Sequence, residues 1–537
     1  MRTLRSLLTA LVAVVLLLSA AAHARPRLAV IVVIDQLGES HLERRIDEGL
    51  APTIASLAQE GYRYRDTRYE AAPALTAAGH ATIATGAYPE LHGIVANDWY
   101  DPSLRRFVDA VEDPRFTTLG RKPVPGDGTA ATALRSGTLG EALKLRYPKA
   151  RVVGVAGKDR GAILPAGPAA DLALWMDSQA PRFTTSTAYA QELPAFVTRV
   201  NDQLREDLKK GFVWELPRGG ITGQNRAPEW ARDRYGFGKA APHRIDPKGS
   251  PAHISEQLLH LPMTEALVID LALGAVETYE LGRDDQPDLL TVSFSTFDKV
   301  LHTFGPDSDQ AADAMRIIDG ELKRLLEGLD ARVGKGQYTV ALTADHGGGW
   351  VAEVARERGV RAGQLDIPEL QKALEATSQR TMKTKGPIFA GFKGTGWYAL
   401  AAHREKVTQP QAFATLRELL LGTEGVRAVF TQQSLLSAPP SSPVDALYRR
   451  GLYPSRSPDL FIAPEPYFTF GPKDATGHGT WHLYDRQLPL VFWGAGIKTG
   501  EGERAELTDL APTLARLLGT SPPSGAQGRV LREALLP

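Results

Sequence analysis

The sequence predicts an α/β fold built on a mostly parallel sheet, and three observations carry that prediction. Short β-branched, apolar runs alternate along the chain with stretches whose apolar residues recur every three or four positions. With 537 residues, 43% of them hydrophobic, the chain can bury a large core. The acidic and histidine residues of most chemical interest follow directly on three of the β-runs, where open α/β sheets gather their ligands.

From the N-terminus, Arg2 and Arg5 precede an apolar run over 7–18 and the small-residue stretch Ser19-Ala20-Ala21-Ala22-His23-Ala24. This pattern predicts a signal peptide, 1–24, cleaved after Ala24, so that 25–537 is an exported catalytic domain in the periplasm or outside the cell. The run is shorter than the roughly 20 residues of a membrane span, and no membrane attachment is expected after cleavage. Strands are expected at 28–34, 151–155, 288–294, 338–343, 460–463 and 488–493. Their alternation with helical stretches points to a largely parallel sheet. Helices are expected at 40–60, 131–147, 264–279, 309–329 and 507–518, covering the sheet.

Two regions break this rhythm. Residues 167–249 are rich in Pro, Gly, Trp and charge without a sustained period, which predicts an insertion capping the active site. Residues 349–472, with a strand-like segment at 396–402 and a helix at 411–421, predict a smaller appended subdomain.

Composition narrows the chemistry. There is no cysteine, so disulfides, thiolate nucleophiles and thiolate metal ligands are excluded, and any metal must sit on His and carboxylates. Lys plus Arg and Asp plus Glu balance at 62 each, which argues against a nucleic-acid partner. No interface stripe stands out, and a monomer is expected.

Asp298 and His302 stand four apart, one helical turn, so a carboxylate and an imidazole share a face. His478, between Gly477 and Gly479, sits where backbone approaches closely and its ring is free to add a third ligand. Asp35, Asp345 and His346 follow two of the strands and suit a second ion. This oxygen and nitrogen set fits zinc best, with manganese and iron open by ligand type. Each piece alone has a plainer reading: a helix pair, a strand-end turn, a helix cap at Asp35. Their arrival after three separate strands is what the plain readings do not explain. His80, His92 and His482 have no metal partner at useful spacing and read as structural or supporting residues.

Thr76 lies where the extended Pro73-Ala74-Leu75 gives way to a helix-like run, near free backbone N–H groups that favour an anion. By itself it reads as an N-cap. Lys158 and Arg160 are two apart, and an extended backbone would turn both to one side as an anion clamp. Asn97 could donate an amide hydrogen bond to the same anion, though alone it reads as a turn residue.

Val33-Ile34-Asp35-Gln36, Thr76-Ala77-Ala78-Gly79-His80, His92-Gly93-Ile94, Asn97-Asp98-Trp99, Lys158-Asp159-Arg160, Asp298, His302, Asp345-His346-Gly347 and His478-Gly479 together resemble the alkaline phosphatase superfamily. They are most similar to its PafA-type, threonine-nucleophile alkaline phosphatases. The resemblance implies two Zn2+ ions, one held by Asp298, His302 and His478, the other by Asp35, Asp345, His346 and the Thr76 oxygen. It also implies that Asn97, Lys158 and Arg160 hold the phosphoryl oxygens of small phosphomonoesters, hydrolysed through a phosphothreonine. Related phosphodiesterases and nucleotide pyrophosphatases generally lack the Lys-x-Arg pair and accommodate a second ester group. A phosphodiesterase is therefore the nearest alternative. A non-catalytic phosphate-binding protein and a mutase-like isomerase stand further off.

Overall fold

The run Leu28–Ile34 forms strand β1, buried at every position, and is the spine of the molecule. The computed structural model describes residues 25–218, 220–221, 229–233, 235–437, 439–471 and 474–537, so the expected signal peptide lies outside the described residues. Among those described, no single helix is long and apolar enough to cross a membrane.

The central sheet has nine strands: β1, β2 (Tyr62–Arg68), β3 (Val152–Ala156), β4 (Leu172–Met176), β5 (Phe183–Thr184), β6 (Asp288–Phe294), β7 (Tyr338–Thr343), β8 (Gln487–Gly494) and β9 (Gly500–Glu506), in the order β9-β2-β8-β7-β1-β6-β3-β4-β5. The five strands from β7 to β4 are parallel. β8 runs antiparallel to both its neighbours, and the two-residue β5 is antiparallel to β4. Each buried Val, Ile or Leu of β1 contributes about 1.5–3 kcal/mol. Helices flank the sheet, with Glu265–Thr278 on Asp309–Leu329 and Leu510–Leu518 on Leu139–Arg146.

The register positions the site. Ile34 lies beside Phe294, and Val33 beside Thr343, so β1, β6 and β7 end almost level. The residues that follow, Asp35, Ser295 and Ala344-Asp345, therefore emerge side by side at the carboxyl edge.

Several expected boundaries shift for local reasons. The helix expected over 40–60 is two, Glu39–Asp47 and Pro52–Glu60: Gly49 takes φ 71°, and Ala51, held out of the helical region ahead of Pro52, cannot continue the first. The helix expected over 131–147 is a short 3₁₀ turn, Ala131–Ala133, followed by Leu139–Arg146, because Thr138 opens a new helix through a capping box with Glu141. The strand around Leu460 is not in the central sheet. Leu460–Pro464 belongs to a separate four-stranded sheet with Phe389–Lys393, Gly396–Ala399 and Val426–Thr431, inside the region expected as an appended subdomain.

The segment 167–249 is more regular than its composition indicates. It begins with β4, paired to β3 within the central sheet, and contains the helix Ala195–Lys210, whose Phe196, Val197 and Leu204 are buried.

Candidate active site

Three strand ends and one buried helix build the site. Helix α1 (Thr76–Thr85) is buried throughout and starts at Thr76; Leu75, not Thr76, is its cap residue, and no side chain caps it. The Thr76 hydroxyl is thus free of the capping role that its position in the sequence allows. It lies 3.3 Å from His346 Nε2. Of the backbone donors expected to be free there, Ala77 N–H is already committed, donating to Asn97 Oδ1 at 2.9 Å. That contact fixes the Asn97 side chain with its NH2 as the remaining donor.

The two expected ligand groups each come together. Asp298, His302 and His478 place one ligand atom apiece within 4.8 Å of one another, as do Asp35, Asp345 and His346. Asp298 and His302 share helix α3 (Thr296–Phe304), whose first turn follows β6. Each histidine turns Nε2 inward: His302 Nε2 is 3.3 Å and His478 Nε2 3.6 Å from Asp298 Oδ1, and His346 Nε2 is 3.3 Å from Asp35 Oδ1. Each turns Nδ1 outward, His346 to Gly347 O at 3.0 Å, His478 to Ala74 O at 3.1 Å and His302 toward Asp474 Oδ2 at 3.6 Å. Ligating histidines are generally oriented this way, with the second ring nitrogen held by an outer acceptor, as those of His346 and His478 are. Asp35 Oδ1 and Asp345 Oδ2 are buried without a hydrogen-bond partner. Orphaned carboxylate oxygens facing imidazole nitrogens of this orientation fit a divalent cation.

Lys158 joins the two groups. Its ammonium lies 2.6 Å from both Asp35 Oδ2 and Asp298 Oδ2. Burial works against its charge, yet the Asp298 and Asp35 carboxylates outweigh that and leave its pKa above the usual lysine value. Burial would raise the Asp298 pKa, and Lys158, His302 and His478 reverse this, holding it well below the usual carboxylate range. The His346 and His478 rings stack 3.7 Å apart. Burial opposes charge on both, but Asp345 and Asp35 bring His346 up to about 9, whereas His478, buried beside that imidazolium, falls well below the ordinary histidine value.

The expected extended Lys158-Asp159-Arg160 segment is not observed. β3 ends at Ala156, Lys158 takes an extended conformation as the cap residue, and helix α2 (Asp159–Ala166) begins at once, putting Arg160 in its first turn. The two cations still line one cavity with Thr76 and Asn97, because a helix start redirects the chain sharply enough to aim both inward. The Arg160 Nε atom is buried without a partner.

The cavity measures ≈ 420 Å³. Sequence reasoning missed part of its wall: Lys299, Tyr235, His260, Phe470 and Gly394. Lys299 adjoins Asp298 and was open to detection. The others carry no local signal, since Tyr235 comes from the 167–249 segment and Gly394 and Phe470 from the 349–472 region. Of the histidines read as structural, His92 contacts Thr82 Oγ1 at 3.1 Å and His482 contacts Pro464 O at 3.0 Å, away from the ligand groups. His80 reaches Asp345 Oδ2.

At the rim, Lys299 Nζ lies 2.7 Å from Glu256 Oε1. Burial pushes the Glu256 carboxyl up, but Lys299 and His260 bring it down to about 2. A carboxylate with a depressed folded-state pKa stabilises the fold above its unfolded value, and the contribution fades as pH falls through the folded value. With partial solvent screening, Glu256→Gln is expected to lower the unfolding free energy at pH 7 by about 2 kcal/mol, a gap that narrows from about pH 4.5 and closes near pH 2. Urea denaturation of both proteins at several pH values measures it, and a pH-independent gap would contradict the assignment.

Comparison with known proteins agrees with this architecture. The family model described as type I phosphodiesterase / nucleotide pyrophosphatase matches residues 29–485. The chain is 28% identical over 536 residues to a protein named alkaline phosphatase PafA of Elizabethkingia meningoseptica, covering 95% of each. It is 31% identical to one named alkaline phosphatase PhoK of a Sphingomonas species, over 92% of this chain and 88% of that protein. The crystal structure of wild-type PafA superposes with a TM-score of 0.87, covering 96% of this chain and 99% of that one at 28% identity. The chain belongs to the type I phosphodiesterase / nucleotide pyrophosphatase family, within the alkaline phosphatase superfamily.

Proposed function

We propose that this chain is an exported phosphatase that hydrolyses small phosphate monoesters with two bound zinc ions and Thr76 as nucleophile. The observation that carries the reading is the convergence, in one cavity, of the uncapped Thr76 hydroxyl, the Lys158 and Arg160 cations and the Asn97 amide beside two groups of ligand residues. The relatives named alkaline phosphatases support it.

Asp298, His302 and His478 would hold one ion, and Asp35, Asp345 and His346 the other. When bound, zinc supplies Lewis-acid stabilisation of negative charge on the attacking and leaving oxygens. The chain's own groups do the rest. Thr76 gives up its hydroxyl proton to solvent, and Oγ1 forms the bond to phosphorus as the P–O ester bond breaks and the departing oxygen takes up a proton. Water then attacks the phosphothreonine, releasing phosphate and restoring the hydroxyl. Two in-line displacements give net retention at phosphorus, and inversion of a chiral phosphate would exclude this route. Lys158 has three N–H donors, two facing Asp35 and Asp298, which leaves one for a phosphoryl oxygen. Arg160 and the Asn97 NH2 take the others, so the growing charge meets fixed donors that need no reorganisation.

A monoester dianion carries one more charged non-bridging oxygen than a diester, which is the reason to read the two cations as selecting monoesters. Steady-state hydrolysis of an aryl phosphate and its methyl diester tests this. The parent is expected to favour the monoester. Lys158→Ala and Arg160→Ala are each expected to lower monoester kcat/KM by ~10²-fold and to change diester hydrolysis much less. Dominant diester hydrolysis, indifferent to both substitutions, would rewrite the substrate class as a phosphodiester.

A further inference from the structure

His80 stands outside both ligand groups, yet it touches the machinery from three directions. It is fully buried, one turn beyond Thr76 on α1. Its Nδ1 lies 2.8 Å from the Thr76 carbonyl oxygen and 3.2 Å from Asp345 Oδ2. Its Nε2 lies 2.8 Å from Ser293 Oγ near the end of β6. One imidazole therefore ties the first turn of the nucleophile helix to a carboxylate after β7 and to the strand that leads into Asp298.

The neighbouring glycine shows how tightly this junction is closed. A Cβ on Gly79 would stand 2.2 Å from the Asp345 carbonyl oxygen, so α1 is packed directly against the Asp345 backbone. The other Asp345 oxygen, Oδ1, already accepts from His346 N at 2.9 Å and Gln36 N at 3.2 Å. Backbone thus fixes one oxygen of Asp345, and Oδ2 is left to His80 and the ligand cluster. The Thr76 carbonyl can only accept, which places the ring proton on Nδ1, and the Ser293 hydroxyl donates to the bare Nε2, so the ring is held at both nitrogens with its Nδ1 edge against Asp345 Oδ2.

We infer that His80 is a positioning residue: its Nδ1–H hydrogen-bonds the Thr76 carbonyl while the ring edge lies against Asp345 Oδ2, and so it sets where the nucleophile stands relative to the Asp35, Asp345 and His346 cation site. The inference rests on the two-zinc reading above. An outer group of this kind commonly changes metal affinity by about 10–100-fold, and here it would also govern the alignment of Thr76.

Two isosteric substitutions separate the two ring nitrogens. In His80→Asn the amide nitrogen takes the place of Nδ1, whereas in His80→Gln it takes the place of Nε2 and leaves Thr76 O without its donor and Asp345 Oδ2 without the group beside it. Zinc affinity is read by competition with a chromophoric chelator, which resolves a stronger and a weaker site, and monoester kcat and KM are read on the same samples. His80→Gln is expected to weaken one of the two sites about tenfold or more and to lower kcat with KM nearly unchanged. His80→Asn is expected to stay within about threefold of the parent on both measures. Equal losses in the two variants would show that His80 acts by packing alone and overturn the inference, as would two unchanged sites in His80→Gln. Should either variant fail to fold, Ser293→Ala carries the test: by removing the hydroxyl that anchors Nε2 it frees the ring to turn away from Asp345 and is expected to weaken the same site, and an unchanged affinity overturns the inference. A parent that binds no zinc would instead sink the two-zinc reading, and that result is visible before any variant is made.

Discussion

Thr76→Ala is expected to lower monoester kcat by about 10⁴-fold or more, since it removes the group that forms the bond to phosphorus. The fold should survive. Leu75 is the cap residue of α1 and the Thr76 side chain caps nothing, so the helix loses no capping hydrogen bond. The buried side chain shrinks by a hydroxyl and a methyl, a cost of about 1 kcal/mol. Zinc content should match the parent, because Asp35, Asp345 and His346 remain. Rapid-quench kinetics with labelled substrate, together with melting curves and metal analysis, distinguish a lost nucleophile from a lost fold. A folded, metal-loaded Thr76→Ala that turns over within tenfold of the parent would remove Thr76 from the mechanism.

Stripping the protein with a chelator is expected to produce the second large effect, a fall of ~10³-fold or more in kcat/KM that added zinc reverses. The loss should register in stability too. Asp35 Oδ1 and Asp345 Oδ2 are buried oxygens without hydrogen-bond partners, and a cation bound only to the folded state stabilises it by about 4 kcal/mol when present at a thousandfold excess over its dissociation constant. Melting temperature should therefore rise with zinc concentration. Full turnover in thoroughly chelated protein, with an unchanged melting temperature, would take metals out of the reading.

How far the sequence was legible varied from element to element. Leu28–Ile34 was readable to the residue because it is apolar throughout, and Asp288–Phe294 and Tyr338–Thr343 because β-branched and apolar residues predominate in them. Asp309–Leu329 was equally plain, since its apolar residues keep helical spacing over 21 residues. β2 and β9 were not: YRYRDTR and GEGERAE alternate or lack apolar residues, and their strand character comes from pairing with each other and with β8. The Lys158-Arg160 segment was misread as extended because nothing local marks the cap residue. β3 ends at Ala156, and Lys158 caps a helix whose first residue is Asp159.

The candidate site divides along the same line. By itself the sequence determined the residue types, the one-turn spacing of Asp298 and His302 and the placing of Asp35 and Asp345-His346 just beyond strands, because these follow from local period and from where apolar runs stop. Only the tertiary structure decided that Thr76 meets His346 across 270 positions, that His478 stacks on His346, that Lys158 bridges Asp35 and Asp298 and that His80 reaches Asp345. Those contacts depend on the order in which parallel strands enter the sheet and on the register that brings their ends level. Both are set by burial summed over the whole core, which no short stretch of sequence records.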